Sequence, residues 1–134
     1  MIDGLLLSTG HFQQMLQHVR TCLPEEACGL IGGFQNRASL IFPVENEFHS
    51  PSRFRMKAEE QLSVFLTLEE NELDLIGIYH SHPTGPAFPS QTDQSEFAYP
   101  GTAYLIWSLL NADWKVHGYR MNDGQFFETS LKVL

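Results

Sequence analysis

The chain has 134 residues, 43% of them hydrophobic and 18% charged, a balance that suits one globular domain over residues 1–134 and excludes a disordered segment. Its formal net charge of −8 lacks the basic footprint of a nucleic-acid binder and does not favour an anionic membrane surface. Cys22 and Cys28 are too few for a disulfide framework, no secretory leader is visible, and no run of about 18 apolar residues exists to span a bilayer, so a cytoplasmic protein with reduced thiols is expected.

Met1 to Leu7 ends in an apolar run and reads as a strand. Ser8 or Thr9 can cap a helix whose apolar positions are Phe12, Met15, Leu16, Val19 and Leu23, with Pro24 at or just beyond its end. Cys28 to Phe34 is apolar and glycine-rich, as a buried strand with close backbone neighbours would be. Gln35-Asn36-Arg37 reads as a hairpin turn into a strand over Ala38 to Phe42. Val44 to Arg53 is polar and contains Pro51, so it is a loop or an edge, and Phe54 and Met56 alternate as in a short strand. Lys57 to Glu70 reads as a second helix, with Leu62, Phe65 and Leu66 on one face and Glu59, Glu60 and Glu69 outside. Leu73 to Ser81 is a strong strand that carries His80 and His82 at its C-terminal end. Pro83 to Pro89 holds three prolines and a glycine in seven residues and is irregular. Ser90 to Phe97 is a short helix and Ala103 to Leu109 a central strand. Trp114 to Met121 and Gln125 to Val133 are strands joined by Asn122-Asp123-Gly124. The pattern predicts an α+β domain, a mixed sheet with flanking helices.

Tyr79-His80-Ser81-His82 and the following Ser90-Gln91-Thr92-Asp93 carry the chemistry. Residues i and i+2 of a strand share a side, so His80 and His82 can aim two imidazoles at one point. Asp93 can supply a third ligand and water a fourth, the open arrangement of a hydrolytic zinc site. Ser-x-x-Asp is also a helix capping box, with Ser90 as the N-cap. That use competes for the Asp93 carboxylate, and beside the two histidines the ligand reading is the stronger.

Such a site also needs a base to take a proton from water and pass it to a leaving amine. Glu25 and Glu26, just before the buried strand, are the candidates, and an exposed acidic pair is the plain alternative. Cys28 inside an apolar strand reads as a small buried hydrophobe rather than a nucleophile. His49 and His117 read as ordinary polar or core histidines, although His49 in its loop could face a cleft. Glu69, Glu70, Glu72 and Asp74 read as a solvated acidic face.

His80-x-His82, seven residues, Ser90, two residues and Asp93 resembles the complete JAMM motif of the MPN/Mov34/JAB metalloprotease superfamily. Pro24-Glu25-Glu26-Ala27-Cys28-Gly29-Leu30-Ile31-Gly32-Gly33 resembles that family's upstream element, P-x-E-x-C-G-L-x-x-G, and Asn46, Pro51 and Phe54-Arg55-Met56 resemble the segment between. The resemblance implies a cytidine-deaminase-like α+β fold, a curved mixed sheet flanked by helices with zinc at its rim. It implies one Zn2+ with a bound water, held by His80, His82 and Asp93, with Glu26 as general base and then acid, and Ser90 stabilising the oxyanion. It implies cleavage of a peptide or isopeptide bond after the C-terminal glycine of a ubiquitin-like protein. The short loops are similar to those of compact prokaryotic members, associated with sulfur carriers ending in Gly-Gly. The tail of such a partner would lie extended near Pro83–Pro89, adding a strand to a sheet edge. A zinc peptidase for unrelated peptides and a non-catalytic interaction module are the alternatives. A DNA-repair relative with the same His-x-His pattern is disfavoured by the acidic balance.

Overall fold

The computed structural model describes residues 4–96, 99 and 101–134. Its elements run β1 (Leu5–Leu7), α1 (Thr9–Thr21), β2 (Cys28–Phe34), β3 (Arg37–Val44), α2 (Ala58–Glu70), β4 (Asp74–His82), α3 (Gln91–Glu96), β5 (Ala103–Leu110), β6 (Asp113–Asn122), β7 (Gln125–Thr129) and β8 (Leu131–Val133). Expectations for residues 1–3 and for Phe97 lie outside the described residues.

The strands form one sheet in the order β7-β6-β5-β4-β2-β3-β1-β8. Pairings β4–β5, β1–β3 and β1–β8 are parallel and the others antiparallel, so the sheet is mixed as expected. Both of its faces are covered. On one, Met15 and Val19 of α1 pack with Leu5, Ile31, Tyr79, Leu105 and Trp107. On the other, Val64 and Leu68 of α2 pack with Leu30, Ile78, Tyr104 and Ile106. Neighbouring residues such as Leu30 and Ile31, or Ile78 and Tyr79, therefore serve opposite cores, which is why β2, β4 and β5 read as continuous apolar runs. Gly29 is needed in this packing: a Cβ there would lie 2.2 Å from the ring of Tyr79.

Sequence signals set the local ends. Ser8 caps α1, its hydroxyl accepting the His11 amide at 3.0 Å while His11 Nδ1 accepts the Ser8 amide at 3.2 Å, so a histidine takes the place usually held by Glu or Gln. Asp123 and Gly124, at φ 51° and 78°, make the β6–β7 turn.

Three expectations are corrected. Leu62 and Leu66 of α2 are 60% and 52% exposed, while Val64 and Leu68 are buried. The run Leu62 to Leu68 offers two adjacent i,i+4 apolar pairs, and contact with the sheet selects one of them. Phe54 and Met56 do not form a strand, and an isolated bridge pairs Met56 with Asn46. Gln125 to Val133 is broken at Ser130: β7 pairs with β6 and β8 with β1, at opposite ends of the sheet order. Curling of the sheet brings those ends together, and the Leu5 amide donates to the Ser130 carbonyl at 2.9 Å.

Candidate metal centre

His80 and His82 are the last residues of β4 on one face, and both are still held in the ladder. His80 stands opposite Cys28 of β2 and Ile106 of β5, and His82 opposite Ser108. Their Nε2 atoms lie 2.9 Å apart. The two rings are oriented by different means. His82 Nδ1 donates to the Pro86 carbonyl at 2.7 Å, which leaves Nε2 of the neutral ring with its lone pair towards the site. His80 is fully buried, its Nδ1 has no partner among the described residues, and its ring is set by packing, with Phe54 stacked at 4.6 Å and Tyr104 at 5.1 Å between centroids.

Asp93 Oδ2 completes the cluster at 3.1 Å from His82 Nε2 and 3.3 Å from His80 Nε2. The same oxygen accepts the Ser90 amide at 2.8 Å, while Ser90 Oγ accepts the Asp93 amide at 3.0 Å. The capping box and the approach to the two histidines therefore coexist in one carboxylate. The cap fixes the rotamer that turns Oδ2 to the histidines, and Ser90 Oγ keeps its own proton for another acceptor.

Glu26 stands two residues before β2 begins and is buried. Ligand atoms of Glu26, His80 and His82 all lie within 4.8 Å of one another, a grouping able to hold a metal. Asp93 differs from Glu26 in lying close to both imidazoles and in being held ionised. Burial opposes its charge, yet the Nε2 atoms of His80 and His82, which donate to it when the rings are protonated, the charge of His80 and the Ser90 amide hold its carboxyl well below the ordinary range. Glu26 behaves oppositely: burial, with the nearby Asp93 charge adding to it and His82 opposing it, pushes its carboxyl up to about 8. Two neighbouring carboxyls pushed apart in this way divide naturally into a ligand and an acid–base group. Burial lowers the pKa of His80 despite Asp93. In His82, bonds to Asp93 and Pro86 outweigh burial and raise it.

The donor set fits a cation. With the His82 Nδ1 proton committed to Pro86, a lone pair faces a carboxylate oxygen at 3.1 Å, and a metal between these acceptors resolves the conflict. Two imidazoles and a carboxylate suit zinc and leave its fourth position open.

Two residues not singled out for a role in the sequence tie these parts together. Ser81, between the histidines, faces the other way: its Oγ accepts the Ala27 amide at 2.8 Å and its amide donates to the Ala27 carbonyl at 3.0 Å. Asn46 donates to the Glu26 carbonyl at 3.0 Å. The irregular Pro83–Pro89 loop is also held. Ser108 donates to the Gly85 carbonyl at 2.7 Å, His82 to that of Pro86, and the Tyr119 hydroxyl to that of Ala87. A cavity of about 240 Å3 opens here between Glu26, His82, Phe88 and Ser90, and another of about 280 Å3 lies beyond Asp93 against Phe54, Met56 and Tyr104. β2 and β4 are paired on both sides.

The remaining candidates lie apart from the chemistry. Cys28 is buried with Sγ 3.5 Å from the Val44 carbonyl, and burial pushes its thiol far up, as befits a small hydrophobe. Glu25 bonds His49, and that exposed ring also reaches Glu45; the Glu25 hydrogen bond is the main cause of its raised pKa. His117 is exposed and pairs with Glu128 at 2.8 Å. No helix among the described residues is long and apolar enough to cross a membrane.

Comparison with known proteins gives the arrangement relatives. A family model described as prokaryotic homologs of the JAB domain matches residues 8–122. A CysO-cysteine peptidase of Mycobacterium tuberculosis is 32% identical over 123 residues, 90% of this chain and 84% of that protein. A desampylase of Haloferax volcanii is 31% identical over 113 residues, 82% of this chain and 79% of that protein. The solution structure of a protein from Desulfitobacterium hafniense superimposes with a TM-score of 0.87 at 30% identity, covering 97% of this chain and 92% of the other.

Proposed function

The chain belongs to the prokaryotic homologs of the JAB domain, and on that premise we propose that it is a zinc-dependent hydrolase cutting the peptide or isopeptide bond after the C-terminal glycine of a ubiquitin-like sulfur carrier. Relatives named for peptidase and desampylase activity support the reaction class. The observation that carries the reading is the convergence of His80, His82 and Asp93 within 3.3 Å beside the buried carboxyl of Glu26.

His80, His82 and Asp93 would hold one zinc with a water in the fourth place. When bound, the ion supplies Lewis acidity, lowering the pKa of water to about 7 and polarising a carbonyl. Glu26, as the carboxylate, takes a proton from the attacking water and delivers it to the departing amine; the charge of a bound cation would favour that carboxylate over the protonated form that burial favours in the metal-free protein. The Ser90 hydroxyl donates to the oxygen on which negative charge develops. Pro86 orients His82, and the loop around it shapes a channel in which glycines fit because they bring no side chain.

The test is intact mass of a ubiquitin-like carrier extended beyond its Gly-Gly end. Loss of the extension at the second glycine is expected, slowed to a small residual rate with Glu26→Gln, which keeps its zinc. Turnover by Glu26→Gln at the parent's rate would remove Glu26 as the base, and zinc-loaded protein that cuts no carrier would shift the reading to unrelated peptides or a binding role. Asp93→Asn keeps an oxygen for the Ser90 amide but removes the anionic ligand, so zinc affinity should fall at least about 10-fold in a chelator competition. Unchanged affinity would leave Asp93 as a cap alone.

A further inference from the structure

We propose that Asn46 is the positioning residue for Glu26, an inference that rests on Glu26 being the general base. Glu26 lies two residues outside the β2 ladder, so no strand pairing fixes its backbone. Its polar groups are taken instead by one loop: its amide donates to the Ser50 carbonyl at 2.9 Å and its carbonyl accepts Asn46 Nδ2 at 3.0 Å.

Asn46 is itself 6% exposed and uses its whole side-chain amide. Nδ2 donates a second bond to the Arg53 carbonyl, while Oδ1 accepts the amides of Phe48 and Arg55. Four bonds of 3.0–3.1 Å from one buried side chain therefore fold residues 46–55 on themselves and fasten that loop to Glu26. The same loop supplies Ser50 to the Glu26 amide and Phe54 to the face of His80. A satisfied buried amide of this kind defines one geometry, and its loss leaves several polar groups unpaired. A shift of the Glu26 carboxyl by a fraction of its reach would mis-set proton transfer while leaving His80, His82 and Asp93, on β4 and α3, in place.

The two ends of the Asn46 side chain can be separated. Asn46→Asp keeps the acceptor for Phe48 and Arg55 and loses the donors to Glu26 and Arg53, whereas Asn46→Ala loses all four bonds. For each variant, kcat on the extended carrier, zinc affinity, and amide exchange at Phe48 and Arg55 would be measured, alone and combined with Glu26→Gln. The proposal expects kcat to fall about 10- to 100-fold in both, with zinc affinity held within about twofold and protection at Phe48 and Arg55 kept in Asn46→Asp. In the Glu26→Gln background neither variant should lower the residual rate further, because a group that acts only through Glu26 has nothing left to position. Full kcat in Asn46→Asp, an equal loss in both backgrounds, or a parallel loss of zinc would overturn it. Failure of the underlying reading is distinct: Glu26→Gln alone would then turn over at the parent's rate.

Discussion

Asp93 Oδ2 meets the Ser90 amide and two imidazoles at once, and burial pushes the carboxyl of nearby Glu26 up to about 8. The second fact links the centre to stability. A carboxyl whose folded pKa stands above its ordinary 4.5 binds its proton more tightly in the native state. Its favourable contribution is complete below about 4.5 and is lost as pH rises through about 8. In metal-free protein, Glu26→Gln should therefore match the parent in Tm at the acid end and exceed it progressively up to about pH 8. A thermal melt series across that window checks this, and a constant gap would contradict it. The four residues of the His-x-His and Ser-x-x-Asp elements were legible in the sequence because they occupy one short stretch and depend on strand alternation and a local cap. The attachment of Glu26 was not, because it runs through Ser81 and Asn46, 54 and 20 residues from their partners, and nothing local marks a serine or asparagine as a long-range clamp.

Among the elements, the Pro83–Pro89 loop is irregular yet anchored at successive carbonyls by side chains from β5, β4 and β6. Ser108 belongs to this anchoring through the bond from its hydroxyl to the Gly85 carbonyl. Ser108→Ala frees the Gly85 carbonyl, loosens the neighbouring Pro86 carbonyl on His82, and should weaken zinc binding by about 10-fold while raising amide exchange over the loop. Zinc affinity equal to the parent's would show that Pro86 needs no such support. Prolines and glycine announce the loop in the sequence, but its anchors sit in strands where a buried serine reads as neutral. The exposed pair Leu62 and Leu66 illustrates a similar limit: α2 carries enough apolar positions for two faces, and only the sheet decides between them.

For the molecule as a whole, zinc would tie the end of β4 to α3, two elements separated in the chain by the loop. Chelation should lower Tm, and restoring zinc at a thousandfold excess over its Kd should return about 4 kcal/mol; a melt indifferent to zinc would argue against a bound ion. The sheet is closed by one stretch, residues 125–133, whose halves lie at its two ends on either side of Ser130. That stretch works as a seam. Tension applied through Leu134, whose amide is bonded to the Leu7 carbonyl, would peel β8 from β1 and then β7 from β6, opening the sheet from both sides in sequence. The end of β4 with His80 and His82, in the middle of the order, would be the last part of the sheet to feel the pull.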